Sequence, residues 1–327
     1  MGPIVITGAA GYLGGLLATH YAAARDPAQV RCVVRHTVQA GPLASMGCDV
    51  LVGDLADPSV CDSAVDGAEL VIHAAARLGT GPRSEFFDIN VGATERLARA
   101  CAAGGARFVF VSSIEAYGVF AGRVLTEDQP HLPNRHAYSE SKYAGEQAVS
   151  RAYRRYGGDR YTIVRPGMIY GPRSPYWTHR YLQRARAGSI GVLGGGGRIF
   201  PVHEADVVNA IATAAVSVRS PGQIYNLVND EGLSWWDWAH AHHQLVQSGA
   251  PHQESVVALR LRSLSRVASG RAGYRRRFEV ELRTAVIPHR KAHDHLGWRP
   301  RRFKAGVLDC ATTNTSLSVT VPGREPR

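Results

Sequence analysis

A closely spaced set of glycines follows the first apolar run of the chain and restricts the fold more than any other feature. The β-branched run Ile4–Thr7 is followed by GAAGYLG at residues 8–14, after which the apolar spacing becomes helical. Gly8 permits a sharp turn off a strand, Gly11 lets backbone N–H groups approach a pyrophosphate, and Gly14 lets the helix pack closely. A helix N-terminus also attracts anions. The segment predicts a strand–turn–helix unit that binds a dinucleotide through Gly8, Gly11, Tyr12, Leu13 and Gly14.

Short apolar segments alternate with helical ones along the first half of the chain. The predicted strands cover 30–34, 50–52, 70–73, 108–111 and 161–164, and the predicted helices cover 59–65, 84–103 and 138–156. Nearly continuous apolar strands are typical of parallel sheets that are covered on both faces. Strand–helix alternation implies right-handed crossovers. We therefore expect an α/β fold, a Rossmann-type doubly wound parallel sheet, over residues 1–165.

The composition and the pattern of the sequence change after residue 165. Prolines and glycines become frequent, and further helices are predicted at 204–218 and at 235–246, the second after a Ser234 N-cap. We expect residues 166–312 to form a smaller substrate-binding lobe that is interleaved with the end of the sheet. Residues 313–327 have no helical period, and we expect a disordered tail.

Composition narrows the class of protein. The net charge is +11, but residues 260–302 alone hold 13 Arg or Lys against three acids, and no nucleic-acid-reading motif accompanies them. No apolar run reaches the roughly 18 residues of a membrane helix, and the first one starts too early for a signal peptide. The five cysteines form no CxxC pair. We expect a cytoplasmic protein that acts on a small molecule, with no metal, membrane or nucleic-acid partner.

The end of the second strand distinguishes the two common dinucleotides. An acid about 20 residues after the glycine loop binds a ribose 2′-hydroxyl, whereas an Arg accommodates a 2′-phosphate. Arg35 follows this strand, and no acid lies between Asp26 and Asp49. The sequence therefore favours NADP, with NAD as the alternative. Asp54, followed by Leu55, could accept a hydrogen bond from the adenine amino group or could simply start a helix.

A tyrosine and a lysine four residues apart open the long helix predicted at 138–156. Tyr138 and Lys142 share a helix face. Lysine occurs at three positions and arginine at 35 (38 basic residues less three), so a lysine here indicates a specific need for a compact ammonium group. A cation about 4 Å from a phenol, at an effective dielectric of about 20, is worth ~4 kcal/mol, or about three pKa units. Such a phenol can exchange a proton with a substrate near neutral pH.

Two serines end the strand that precedes this helix. Strand ends of a doubly wound sheet face the ligand crevice, so Ser113 is placed to hold the reacting oxygen. Ser112 fits a strand-end capping role better, and we expect it beside the cofactor.

These residues resemble the extended short-chain dehydrogenase/reductases, also called the NAD-dependent epimerase/dehydratase family, over roughly residues 3–309. The motifs that carry the resemblance are TGAAGYLG at 7–14, GDLAD at 53–57, HAAA at 73–76, NVGAT at 90–94, SSIEAYG at 112–118, YSESK at 138–142, RPGMIYGP at 165–172, HEADVVNA at 203–210 and KAHDHLGWRP at 291–300. The resemblance implies a seven-stranded sheet with a small C-terminal lobe, and a homodimer formed through the helices at 84–103 and 138–156. It implies Ser113, Tyr138 and Lys142 as the catalytic set. It also places further residues beside the cofactor, namely Ala74, Ala75, Ala76, Asn90, Pro166, Gly167 and Ile169.

Departures from the family pattern bear on the substrate. Sugar-nucleotide members usually carry an Asn in the segment that matches RPGMIYGP, where this chain has Gly167 and the apolar Met168. The segment through Trp177 is more similar to members that act on steroid-like, aryl or polyketide carbonyls. Arg198, after a run of four glycines, could instead clamp a diphosphate. Glu115 stands where dehydratases and decarboxylases place a catalytic Glu, but Ile114 replaces the Asp of the 4,6-dehydratases.

We therefore expect an NAD(P)-dependent oxidoreductase that reduces a carbonyl, or oxidises a secondary alcohol, of a small or hydrophobic substrate, with Tyr138 as the acid/base. The alternative is a nucleotide-sugar epimerase or dehydratase that regenerates its cofactor in every turnover. A dinucleotide-binding regulator without catalysis is a third possibility, which an intact Ser–Tyr–Lys set disfavours. The expected substrate contacts are Ser113, Glu115, Met168, Trp177 and Arg198.

Overall fold

A seven-stranded parallel sheet forms the centre of the protein. The computed structural model describes residues 2–120, 122–194, 197–255, 257 and 280–311. In chain order the described strands are β1 (Ile4–Thr7), β2 (Val30–Val34), β3 (Asp49–Val52), β4 (Leu70–His73), β5 (Arg107–Val111), β6 (Tyr161–Pro166), β7 (Met168–Tyr170), β8 (Gly191–Leu193), β9 (Pro201–His203), β10 (Gln223–Leu227) and β11 (His252–Glu254). The central sheet has the order β10-β6-β5-β4-β1-β2-β3, and every pairing in it is parallel. The order reverses between β1 and β4, which is where such sheets bind ligands.

Helices connect these strands. In chain order they are α1 (Tyr12–Ala24), α2 (Gly41–Ala44), α3 (Pro58–Val65), α4 (Arg83–Phe87), α5 (Thr94–Gly104), α6 (Ala137–Arg155), α7 (Arg180–Arg186), α8 (Glu204–Val216), α9 (Trp235–Leu245), α10 (Arg290–Leu296) and α11 (Phe303–Asp309). The helix predicted over 84–103 is divided, because a π-helical segment at Asp88–Ala93 separates α4 from α5. Ser234 caps α9 as predicted, with its side chain accepting from the Asp237 N–H.

Apolar clusters cover both faces of the sheet. Ile4 and Ile6 of β1 lie in one cluster with α1 and α8, whereas Val5 lies in another with α3, α5 and α6. Alternate residues of one strand are therefore buried on opposite faces, as the continuous apolar runs predicted. The expected Rossmann-type α/β fold is confirmed.

Residues beyond β6 take part in two further apolar clusters, the second of which also contains residues that precede β6, namely Ile114, Tyr117, Phe120 and Leu125. The first contains Met168, Tyr170, Trp235, Trp238 and Phe303 among its members, around the short parallel pairs β7–β9 and β8–β11. The chain returns to the central sheet at β10, which pairs with β6.

Residues 260–279 of the basic stretch and the predicted tail at 313–327 lie outside the described residues. In the described part of the chain, none of the helices combines the length and the hydropathy that crossing a bilayer requires.

Candidate functional site

The glycine loop forms a backbone cradle at the end of β1. Gly8 has a φ of +67°, and a Cβ there would lie 2.7 Å from the Cα of Ala75. A Cβ on Gly14 would overlap the carbonyl oxygen of Gly8, which also accepts a 2.8 Å hydrogen bond from the Gly11 N–H. Gly11 is the N-cap of α1 and has no side chain that could bond the first N–H groups of the helix. The cradle therefore fits the pyrophosphate of a dinucleotide.

Tyr12 and Leu13 contribute side chains to packing at this loop. The Tyr12 hydroxyl donates a 2.6 Å hydrogen bond to Glu204 at the start of α8. Burial and the neighbouring carboxylate raise the pKa of Tyr12. Leu13 is partly buried against the core. Any contact of these two residues with a cofactor would therefore involve the backbone of the first helical turn.

Arg35 and Asp54 lie at the same edge of the sheet, after the ends of the neighbouring strands β2 and β3. Arg35 is exposed, and its Nε donates to His36 Nε2 at 2.9 Å. The exposed Asp54 accepts a 2.9 Å hydrogen bond from the Ala56 N–H, so the carboxylate stabilises its own turn. The neighbouring Leu55 is partly buried. An exposed guanidinium at this edge suits the recognition of a 2′-phosphate.

The loop Ala74–Ala76 is held between the glycine cradle and α6. Asn90 is buried and accepts from the Arg77 N–H at 2.6 Å, while its amide donates to Ser141 Oγ of α6 at 2.9 Å. His73, directly before the loop, contacts the hydroxyls of Thr7 and Thr94. Burial lowers the pKa of His73 to about 3, so this imidazole is neutral. The predicted loop and Asn90 are therefore fixed by buried hydrogen bonds.

Tyr138 and Lys142 lie one turn apart at the start of α6. The helix begins at Ala137, and the His136 side chain caps it by accepting from the Ser139 N–H at 3.3 Å. Lys142 is 1% exposed, and its Nζ donates to the Val111 carbonyl at the end of β5 at 2.7 Å. The same nitrogen lies 4.3 Å from the centre of the Phe110 ring.

Burial lowers the pKa of Lys142 to about 7, against the opposing effect of Glu146. The ammonium group therefore changes its charge close to neutral pH, on the helix that carries Tyr138. Strongly perturbed pKa values of this kind cluster at functional sites.

Ser113 lies at the turn that links β5 to α6. Its Oγ accepts from the Glu115 N–H at 3.2 Å and caps the short 3-10 turn Ile114–Tyr117. The Glu115 carbonyl in turn accepts from Ser139 Oγ at 2.5 Å. The structure thus connects the Ser113 turn to the first turn of α6, where Tyr138 is located.

Two charged residues beside Lys142 were not predicted. Glu146 accepts from Arg165 Nε at 2.9 Å and from Arg165 Nη2 at 2.7 Å, and both side chains are buried. Glu146 also accepts from Ser112 Oγ at 2.5 Å, so the Ser112 hydroxyl contacts this carboxylate. The sequence did contain a sign of Glu146, because this residue follows Lys142 by four positions and therefore shares its helix face.

Arg283 also contacts the site and was not predicted. Its two terminal nitrogens donate to the two carboxylate oxygens of Glu115 at 2.7 and 3.0 Å. It is one of 13 basic residues between positions 260 and 302, and this background hid it.

The predicted substrate residues fall into two groups. Met168 is 9% exposed and shares an apolar cluster with Trp177, whose ring stacks on Tyr181 with centroids 6.0 Å apart. Arg198 instead lies beside the site, where its N–H donates to the Arg283 carbonyl at 2.7 Å. A cavity of about 270 Å³ adjoins the apolar cluster and is lined by residues that include Val192, Leu193, Ser234, Trp235, Trp236 and Gln253.

Backbone contacts fix the loop that follows β6. The Gly167 N–H donates to the Leu227 carbonyl of β10 at 3.0 Å, and a Cβ on Gly167 would overlap the Phe200 carbonyl oxygen. The predicted cofactor residues Pro166 and Ile169 flank this position at the end of β6 and within β7. The loop therefore runs from the central sheet to the apolar cluster that contains Met168.

The buried histidines of α9 contact nearby backbone carbonyls. His242 Nδ1 contacts the Trp238 carbonyl at 2.8 Å, and burial lowers the pKa of His242 to about 4. Among the residues that the structure describes, no three His, Cys, Asp or Glu side chains lie together as metal ligands would.

The chain is similar to proteins of known sequence and known structure. The model of the NAD dependent epimerase/dehydratase family matches residues 4–227. A ceramide reductase from Caulobacter vibrioides is 32% identical over 254 residues, which cover 77% of this chain and 70% of that protein. A dTDP-glucose 4,6-dehydratase from Streptomyces antibioticus is 28% identical and covers 93% of this chain and 90% of that protein. The solved UDP-glucose 4-epimerase from Thermotoga maritima shares the fold, with a TM-score of 0.77 at 20% identity over 96% of this chain and 98% of that one.

Proposed function

Because the chain belongs to the NAD-dependent epimerase/dehydratase family, we propose that it is an NADP(H)-dependent oxidoreductase that reduces a carbonyl, or oxidises a secondary alcohol, of a small or hydrophobic substrate. The observation that carries the proposal is the buried Lys142 ammonium, one helical turn after Tyr138, with its pKa near neutrality. The 32% identity to a ceramide reductase and the apolar surroundings of Met168 and Trp177 support a hydrophobic substrate.

The cofactor is proposed to lie along the carboxyl edge of the sheet. The cradle at Gly8–Gly14 would hold its pyrophosphate, the loop Ala74–Ala76 with Asn90 would border it, and Lys142 would bind its ribose. When bound, the dinucleotide supplies or accepts the hydride. Arg35 would pair with a 2′-phosphate, which is the reason to propose NADP rather than NAD.

The chain's own residues would handle the proton. Ser113 Oγ would hold the carbonyl oxygen of the substrate, and Tyr138 would donate its phenolic proton to that oxygen during reduction. The Lys142 charge would favour the ionised phenol that remains. The same groups serve alcohol oxidation in reverse.

Two variants test this proposal. Wild-type protein should consume NADPH with an aryl ketone such as acetophenone, and Tyr138→Phe should lose at least about 10²-fold in kcat while it still binds NADPH. A Tyr138→Phe protein with unchanged turnover would contradict the mechanism. NADPH binding without any turnover, in both wild type and Tyr138→Phe, would indicate a dinucleotide sensor.

The cofactor preference is tested separately. Arg35→Asp should lower kcat/KM for NADPH by about 10-fold or more and improve the use of NADH, since one charge-assisted contact is worth about 1.5–3 kcal/mol. A wild-type protein that strongly prefers NADH would show that the NADP assignment is wrong.

A second candidate is a nucleotide-sugar epimerase or dehydratase. The similarity to a dTDP-glucose 4,6-dehydratase over 93% of the chain favours it, and Arg198 could bind a diphosphate. Such an enzyme would convert UDP-glucose or dTDP-glucose without net consumption of NADPH, which separates the two candidates.

The proposed assembly is a homodimer. Helices α5 and α6 pack against each other on one face of the sheet, and we propose that this face meets a second copy. Sedimentation equilibrium tests the proposal, because a monomer at micromolar concentration would contradict it.

A further inference from the structure

A segment at residues 283–287, the Arg283 segment, reaches across to the turn that carries Ser113. Its backbone is paired on both sides: the Arg283 carbonyl accepts from the Arg198 N–H, and Val286 exchanges two 2.8 Å hydrogen bonds with Arg123 and Leu125. Ala285 is fully buried among apolar side chains of the site turn and the loop after it. The segment is therefore a fixed part of the site wall.

The side chain that this segment presents is a buried cation. The Arg283 side chain is 9% exposed, and the Glu115 side chain that it meets is 15% exposed. The pair is bidentate, and the guanidinium also lies 3.9 Å from the centre of the Phe120 ring. Both carboxylate oxygens of Glu115 thus accept from one planar donor, a geometry that lysine cannot reproduce.

Glu115 connects this pair to the residues proposed for catalysis. Its N–H donates to Ser113 Oγ, and its carbonyl accepts from Ser139 Oγ in the first turn of α6. Glu115 is therefore held by Arg283 through its side chain, and through its backbone it contacts the hydroxyl that is proposed to hold the substrate oxygen. An unpaired carboxylate at this depth would also be costly.

We propose that Arg283 is a positioning residue, whose ion pair with Glu115 fixes the Ser113 turn and keeps the Glu115 carboxylate from acting as an acid or base. The proposal rests on the carbonyl-reductase function above. It assigns proton transfer to Tyr138 alone, unlike a site in which the carboxylate removes a substrate proton. It also gives the Arg283 segment a role in the rate of the reaction and not in cofactor binding.

The test compares four variants in the full chain: Arg283→Met, Arg283→Lys, Glu115→Gln and the double variant E115Q/R283M. With acetophenone and NADPH, Arg283→Met should lower kcat by about 10²-fold through misplacement of the Ser113 turn, with KM for NADPH within about twofold. Arg283→Lys should recover part of the loss. Glu115→Gln should lose less than about 10-fold, and E115Q/R283M should be more active than Arg283→Met, because no unpaired carboxylate remains.

Several results would overturn the proposal. A Glu115→Gln enzyme that binds NADPH but loses about 10³-fold or more in kcat would make Glu115 an acid or base. A parallel rise in KM for NADPH would point to a general loss of structure. Urea midpoints of the same variants test the pair without turnover, and strictly additive changes would contradict the coupling of Arg283 with Glu115.

Failure of the reductase function gives a different pattern. Wild-type protein would then consume no NADPH, and the same variants would be assayed with UDP-glucose by following the appearance of UDP-galactose. The positioning role predicts the same order of activities there, and a different order would contradict it.

Discussion

Replacement of Lys142 by methionine should make the protein more stable and inactive. Burial lowers the pKa of Lys142 from 10.5 to about 7, which corresponds to about 5 kcal/mol of unfavourable charge burial. Methionine removes that cost and also removes the 2.7 Å hydrogen bond to the Val111 carbonyl, a charged-group bond worth about 1.5–3 kcal/mol. The net expectation is that the free energy of unfolding rises by about 2 kcal/mol at about pH 7.

The pH dependence gives the sharper readout. Because the pKa is lower in the folded protein, the unfolded chain binds the proton more tightly between about pH 7 and pH 10. Wild-type stability should therefore rise with pH across this window and stay unaffected by this group below it. Lys142→Met should lack that rise, so its advantage of about 2 kcal/mol should vanish at about pH 9, and wild type should be the more stable protein at about pH 10.

Urea denaturation of the cofactor-free protein at several pH values measures both effects. Lys304→Met is the matched control, because it makes the same substitution at an exposed position near the start of α11. A Lys142→Met protein that is less stable than wild type at neutral pH, or equally offset at every pH, would refute the reasoning.

Three further predictions concern the glycine loop and the buried charges. Gly14→Ala should destabilise the protein by about 1–3 kcal/mol and weaken NADPH binding, because its Cβ would overlap the backbone. Gly15→Ala is the control, since a Cβ there would make only ordinary contact at 3.4 Å. NADPH fluorescence titration and urea midpoints compare the two variants, and equal effects would contradict the prediction. Glu146→Gln should lower the free energy of unfolding by about 3–5 kcal/mol, because it leaves the buried Arg165 guanidinium without its anion. Adding Arg165→Met should recover part of that loss. Urea midpoints that fall further in the double variant would count against a buried ion pair. The pKa of His242 is lowered to about 4, so the unfolded chain binds more protons below about pH 6.5, and stability should fall as the pH drops toward about 4. His242→Phe should reduce this fall, as measured by thermal unfolding. An unchanged acid profile would contradict the low pKa of His242.

Local sequence patterns were sufficient to predict the fold and to locate the motif residues along the chain. The strand Val30–Val34 and the helix start at Trp235 could be placed because apolar spacing and capping act within a few residues. The division of the helix at 84–103 by a π-helical segment was not predictable, since apolar spacing does not distinguish a π-helical segment from a continuous α-helix.

The sequence by itself determined that a glycine turn follows the first strand and that Tyr138 and Lys142 share a helix face, because both depend on spacing along the chain. Only the tertiary structure decided the charges around them. Arg283 meets Glu115 from 168 residues away, and the buried anion beside Lys142 meets an arginine at the end of β6. Burial and ion pairing depend on what the whole fold brings together, and those two quantities set where a proton can reside at neutral pH.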